Sequence, residues 1–288
     1  MRPLLPALAL VGAVAISCGG EDAPPPDRFD SAAAMTLLEE QIALGPRPAG
    51  SDASRTLAER LRDELPNGRY QDVPGGLRNV IGTVEGSDPQ RTAVVGAHYD
   101  TKDEPGFVGA NDGASGTAVV VELARRLEPR ELRPTIVFVL FDGEESPRGS
   151  ENFARDGMRG STVAAKTLGD AEAMILLDFV GDRDLSIPRE GNSDPDLWAQ
   201  LRSAAKRVGH GGHFPTGVVN PMLDDHIQFT EQGVPSIDLI DFTSTASINP
   251  ATIAPPCQRA AWTQPGRPCS SCSGRCEPDS GQSLSASR

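Results

Sequence analysis

The run Thr135 to Phe141 reads TIVFVLF, with no polar residue after its threonine. A half-exposed strand alternates polar and apolar side chains. A strand-length run without alternation buries both faces, as in a sheet covered by helices on each side. The remaining segments supply such partners. Ser31 is placed to cap a helix whose stripe is Met35, Leu38 and Ile42, and the GPRPAGS run from Gly45 to Ser51 stops it. A second helix carries Leu57, Leu61 and Leu65. Strand-like segments run from Asn79 to Val84, Thr92 to Ala97, Ala173 to Leu177 and Ser236 to Ile240. A Gly-rich loop reaches Gly116, before a helix with Val120, Leu123, Ala124 and Leu127 on one face. Pro195 suits a helix start ahead of Leu197, Leu201, Ala204 and Val208. Strands alternating with helices predict an α/β layered domain.

The chain has 288 residues, the length of one large domain or two small ones. Its formal charge is -13, without a long basic run, so nucleic acid is not an expected partner. The start, MRPLLPALALVGAVAISCGG, combines Arg2 with an apolar run from Leu4 to Ile16 that is too short to span a bilayer. It resembles a bacterial lipoprotein signal over residues 1–18, with Cys18 as the acylated residue. Ala15 stands where such signals usually carry Leu, which leaves a plain secretory signal as the second reading. Residues 19–30 read as a flexible tether. The expectation is an exported chain, periplasmic or extracellular, attached to a bacterial membrane through lipidated Cys18.

Residues 243–288 differ from everything before them. No helix or strand period persists, Ser, Pro, Arg, Gly and Cys dominate, and four of the five cysteines lie there. A reading-frame shift near residue 243 is the first explanation. A disulfide-bearing extension is the second, and a metal site on Cys269, Cys272 and Cys276 with Cys257 the third.

Polar residues gather where the expected strands end. His98-Tyr99-Asp100 follows TAVVGA, Asp112 lies in GANDGASG before a helix, Glu144-Glu145 follow TIVFVLF in FDGEES, and Asp178 ends AMILL. Ligand sites in α/β sheets lie at the carboxyl ends of strands. Carboxylates crowded there repel one another unless a cation intervenes, and His with carboxylates is a zinc donor set.

In order and context these segments resemble the family of zinc aminopeptidases and glutaminyl cyclases, peptidase family M28. The likeness rests on AHYD, FVGANDGASGTAVVVELAR, LFDGEES with GSENFA, LLDFVGD, LDDHIQF and GVPSIDLIDF, from about Asp30 to Phe242. It implies one or two zinc ions. His98 and Asp178 would hold one metal, Asp112 would bridge two, and Glu145 would bind the second. Glu144 would be the general base or acid, Asp100 would orient His98 through its other ring nitrogen, and Asp225 would support Glu144. His226 is generally not a ligand in such proteins. The fold expected over residues 31–242 is a three-layer α/β/α sandwich with a mixed, mostly parallel sheet.

The pattern breaks after Asp241-Phe242. The family normally supplies its last ligand from a His-Thr motif there, yet the four histidines are His98, His210, His213 and His226. His210 and His213, in GHGGHF, read as loop residues that are candidates for a substitute ligand. The leading functional expectation is an aminopeptidase-type exopeptidase acting on peptide or protein N-termini. The second is a glutaminyl-peptide cyclotransferase, and the third an inactive remnant or binding module.

Overall fold

Leu140 and Phe141 stand side by side at the end of one strand and point into different cores, which fixes the architecture around them. The computed structural model describes residues 28–129 and 132–242. The signal, Cys18, most of the tether and the 243–288 tail therefore lie outside the described residues. Six strands form one sheet: β1 (Arg69–Val73), β2 (Leu77–Val84), β3 (Asp88–His98), β4 (Pro134–Phe141), β5 (Ala173–Asp178) and β6 (Ser236–Ile240). Their order is β1-β2-β4-β3-β5-β6. The pairs β4-β3, β3-β5 and β5-β6 are parallel, and β1-β2 and β2-β4 are antiparallel, so the sheet is mixed and mostly parallel as expected.

Successive strand residues serve opposite faces. Val80, Val95, Phe138, Leu140 and Leu177 join the core under α1 (Ser31–Ala43), α2 (Asp52–Glu64), α3 (Ala114–Arg126) and α6 (Pro195–Arg207). Ile81, Val94, Val137, Val139, Phe141 and Leu176 join the second core, with Ala164 and Ala165 of α5 (Arg159–Thr167) and Phe229 of α7 (His226–Thr230). A four-residue helix, α4 (Phe153–Asp156), precedes α5. The step from β3 to β4 and the step from β4 to β5 run in opposite directions across the sheet. Right-handed crossovers then put α3 and α5 on opposite faces.

Local details differ from the sequence reading in three places. The cap of α1 is Asp30, whose carboxylate accepts from the Ala32 and Ala33 amides, and not Ser31. That helix buries Ala34, Leu37, Leu38 and Gln41 and leaves Met35 exposed. The tether's last residues already touch the domain, since Arg28 pairs with Glu128 and the Asp30 amide donates to Glu122. The edge strand β1 was not read at all, because only Val73 of RYQDV is buried.

Gly116 shows how tightly α3 lies on the sheet. A Cβ there would come 2.1 Å from the Leu177 carbonyl oxygen and 3.1 Å from the Ala97 Cβ. Alanine is the better helix former by about 1 kcal/mol, so propensity alone favours Gly116→Ala. The backbone clash is expected to reverse that and destabilise the chain by about 1–3 kcal/mol. Urea unfolding reads the sign directly, and a more stable Gly116→Ala would show that α3 stands off β5.

Candidate metal centre

Three backbone devices bring the ligand set together. His98 and Asp178 end the neighbouring parallel strands β3 and β5, each two residues beyond the paired Gly96 and Leu176, so both side chains leave the sheet at one level. Asp112 lies in the loop that enters α3, just before Gly113. That glycine has φ 87°, and a Cβ on it would sit 2.8 Å from the Asp100 carbonyl oxygen and 3.1 Å from the His98 ring. Only glycine gives both the left-handed turn and the close approach. The Thr117 hydroxyl of α3 then donates to the His98 carbonyl at 2.8 Å, locking the helix to the strand end.

The result is a buried group in which one atom each of His98, Asp112 and Asp178 lies within 4.8 Å of the others. His98 Nε2 is 3.2 Å from Asp112 Oδ1 and 3.4 Å from Asp178 Oδ1. Both ring nitrogens are fully buried and make no hydrogen bond. A buried imidazole nitrogen without a partner is costly, and here it faces two carboxylates. A divalent cation held by one nitrogen and two carboxylate oxygens would satisfy all three groups, so the donor set fits a zinc-type ion. Burial alone would lower the His98 pKa, but Asp100, Asp112 and Asp178 outweigh it and raise it well above the usual value. The same charges act in reverse on Asp112: burial would raise it, yet His98 and Lys102 bring it down to about 2.

Asp100 stands beside His98 and also carries a backbone turn. Its Oδ1 is 3.6 Å from His98 Nδ1, too long for a hydrogen bond. Its two oxygens instead accept the Glu144 and Glu145 amides, each at 3.2 Å. Asp100 therefore fixes the backbone that carries the two glutamates. Arg159 supports the same turn by donating to the Gly143 and Glu145 carbonyls.

Glu144 Oε2 lies 3.9 Å from His98 Nδ1. Burial pushes its carboxyl well above the usual range; His98 opposes this, and Asp224, Glu145 and Asp225 reinforce it. Asp224 and Asp225 thus act on Glu144 in the same direction. Asp225 is fully buried, with neither oxygen hydrogen-bonded, and burial pushes it up to about 7. Glu145 does not join the triad directly. Its carboxylate receives Lys102 Nζ at 2.6 Å, and that ammonium also donates to Asp112.

The remaining histidines lie elsewhere. His210 and His213 follow α6, and His213 Nδ1 meets the Leu185 carbonyl at 3.0 Å. His226 is buried against Glu190 at 3.2 Å, with Asp238 3.9 Å from its other nitrogen. Among the described residues, only His98 contributes a histidine to a metal-type group. Sequence reasoning missed Lys102, Asp224 and the Glu190–His226–Asp238 cluster. Lys102 had one signal, a cation two residues past Asp100 in a loop otherwise read for its acids.

Replacing Asp100 tests its hold on the backbone turn. Asp100→Asn places an amide NH₂ against one of two backbone N–H donors. It is expected to cost about 1–3 kcal/mol in unfolding free energy and to loosen the Glu144–Glu145 turn. Unchanged stability in urea would mean that the two 3.2 Å contacts carry no load.

The model of Peptidase family M28 matches residues 79–261, more than half of the chain. A probable zinc metalloprotease of Leptosphaeria maculans is 35% identical over 160 residues, which are 48% of this chain and 34% of that protein. The chain thus matches about a third of that relative's length. Among solved structures, a glutaminyl cyclase from an Acidobacteriales bacterium is 31% identical with a TM-score of 0.64, covering 75% of this chain and 81% of its own. A leucine aminopeptidase precursor from Bacteroides thetaiotaomicron is 25% identical with a TM-score of 0.66, covering 76% and 88%. With the mixed sheet and the strand-end ligands already in place, the match over residues 79–261 makes this chain a member of peptidase family M28.

Proposed function

We propose that this chain is a zinc-dependent enzyme acting on the N-terminal residue of peptides, and that it closes an N-terminal glutamine to pyroglutamate. The observation that carries the reading is the buried His98–Asp112–Asp178 group with the Glu144 carboxyl set against the same imidazole. Cyclisation is placed first because the glutaminyl cyclase is 31% identical to this chain and the leucine aminopeptidase precursor 25%. Hydrolytic removal of the N-terminal residue is the second reading. It is supported by the likeness to a leucine aminopeptidase precursor and to a probable zinc metalloprotease. The leader of residues 1–18 supports export and attachment through Cys18.

His98, Asp112 and Asp178 would hold the zinc ion, which when bound serves as a Lewis acid toward the carbonyl under attack. The surrounding carboxylates favour a substrate that brings a positive α-amino group. Glu144 is the proton carrier. In cyclisation the α-amino nitrogen attacks the side-chain amide carbon of the N-terminal glutamine. A nitrogen–carbon bond forms, the bond to the amide nitrogen breaks, and ammonia leaves. Glu144 takes the proton that the attacking amine gives up and passes it to the departing nitrogen. In hydrolysis a water replaces the amine as nucleophile, the peptide bond is the one that breaks, and Glu144 serves water and leaving amine in the same way. Burial, which raises its pKa, suits a carboxyl that must both take and return a proton.

Two measurements test this. Glu144→Gln keeps the shape but cannot carry the proton, so turnover should fall about 10²–10⁴-fold with zinc content unchanged. Loss of zinc from that variant would make Glu144 a ligand instead. Gln-initiated and Leu-initiated peptides, offered in parallel, separate the two reactions. Pyroglutamyl peptide plus ammonia, with no free glutamine, is the expected result. Release of free N-terminal leucine with no pyroglutamyl product would establish the hydrolytic reading and end the cyclase one.

A further inference from the structure

No hydrogen bond among the described residues reaches the Glu144 carboxyl, although it is buried beside His98. A side chain in that situation is placed by the backbone that carries it. All three carbonyls of the Gly143–Glu145 turn are held from one direction, by the start of α5. The Gly143 carbonyl accepts the Arg159 amide at 2.9 Å and Arg159 Nε at 3.3 Å. The Glu144 carbonyl accepts the Met158 amide at 2.8 Å, and the Glu145 carbonyl accepts Arg159 Nη2 at 2.9 Å. We propose that Arg159 is a positioning residue for the Glu144 carboxyl, its guanidinium bridging the two carbonyls that flank the proton carrier. The assignment rests on the proton-carrier reading of Glu144 given above.

The start of α5 is strained where it meets the turn. Met158 stands at φ 52° and ψ 30°, in the left-handed region that a residue with a side chain avoids. Such a conformation persists only where its surroundings impose it, and here the Met158 amide meets the Glu144 carbonyl. Gly157, just before it, permits the approach, since a Cβ there would lie 2.7 Å from the same oxygen. Arg159 completes the hold with its side chain. A guanidinium is a planar fork whose Nε and Nη2 reach two carbonyls at once, whereas a lysine ammonium is a single point. Bonds from a charged donor are also the stronger ones. On the opposite side the Asp100 carboxylate takes the Glu144 and Glu145 amides, so the turn is gripped through its donors by one element and through its acceptors by another. The hydrogen bonds of Arg159 reach only backbone oxygens, and its side chain can therefore be replaced without altering the metal-type donor set.

The test is a cycle of variants of the zinc-loaded full chain, assayed on the Gln-initiated and Leu-initiated peptides. Arg159→Ala should lower kcat about 10–100-fold, the cost of a misplaced reacting group, with KM and zinc per chain as in wild type. Arg159→Lys should fall between the two. Millimolar guanidinium, set against equal sodium chloride, should restore kcat to Arg159→Ala by refilling the place of the lost fork. In a Glu144→Gln background the same substitution should lower the residual turnover less than about twofold, because its effect passes through Glu144. An equal fall in both backgrounds overturns the proposal, as does a folded Arg159→Ala that keeps wild-type kcat or loses its zinc. If the alanine variant fails to fold by circular dichroism, Arg159→Lys carries the same cycle. Hydrogen exchange over residues 141–146, read by mass spectrometry, should quicken in Arg159→Ala and slow again with guanidinium. Unchanged exchange there overturns the proposal even in a chain without turnover. A Glu144→Gln that keeps wild-type turnover overturns the proton-carrier reading itself, an outcome distinct from an additive cycle.

Discussion

Carboxylates are packed around a single buried imidazole at the ends of β3, β4 and β5. Asp100, Asp112, Glu144 and Asp178 all lie within 3.9 Å of a His98 ring nitrogen, in a place that water does not reach. So much negative charge cannot be buried uncompensated. The rest of the site is a set of answers to that constraint. Asp100 is neutralised in effect by two backbone N–H donors, Asp112 and Glu145 by Lys102, and the triad by the cation that its geometry fits. Each answer uses a different chemistry because each carboxylate faces a different element.

The sheet makes this concentration affordable in structural terms. Parallel strands end at one edge, and their terminal residues leave the sheet together. The crossover helices on either face then bury those ends. Gly113 and Gly116 let α3 descend onto β3 and β5 where a side chain would collide with Asp100 or Leu177. Asn79 performs a related service inside the sheet, donating to the Gly160 carbonyl and accepting the Asp142 amide, which ties α5 to the strand that leads into Glu144. Precision in the loops is thus inherited from strands and helices, the usual condition for a site whose side chains must be held at fixed distances.

How much of this was legible in the sequence depended on what each residue does. The strands β2 to β6 were readable because burial on both faces leaves long apolar runs, and His98, Asp112 and Asp178 were readable because polar residues at the ends of such runs stand out. The contact of Asp100 with the Glu144 and Glu145 amides was not, since an acid two residues from a histidine gives no sign of a bond to the backbone of another loop. Met35 misled because a three-residue spacing fits more than one face of a short helix, and the small side chain of Ala34 is what the interface takes.

The acids of the second buried cluster were invisible for a further reason: they interrupt segments that otherwise read as core. Asp238 sits in the apolar strand SIDLI, where burial pushes its carboxyl well above the usual range. Glu190 is the opposite case. Burial would raise it, yet His226 and the Asn192 and Met222 amides more than offset that, and the Ser193 hydroxyl also donates to it. A carboxylate with this many donors is a clamp. It joins the 190–193 turn to the segment that runs from Met222 into α7, and that segment carries Asp224 and Asp225. The position of the acids behind Glu144 is therefore set by a buried Glu190–His226 contact that touches none of the metal-type ligands. His226, expected not to be a ligand, lies between Glu190 and Asp238 and helps to hold in place the segment that carries Asp224 and Asp225.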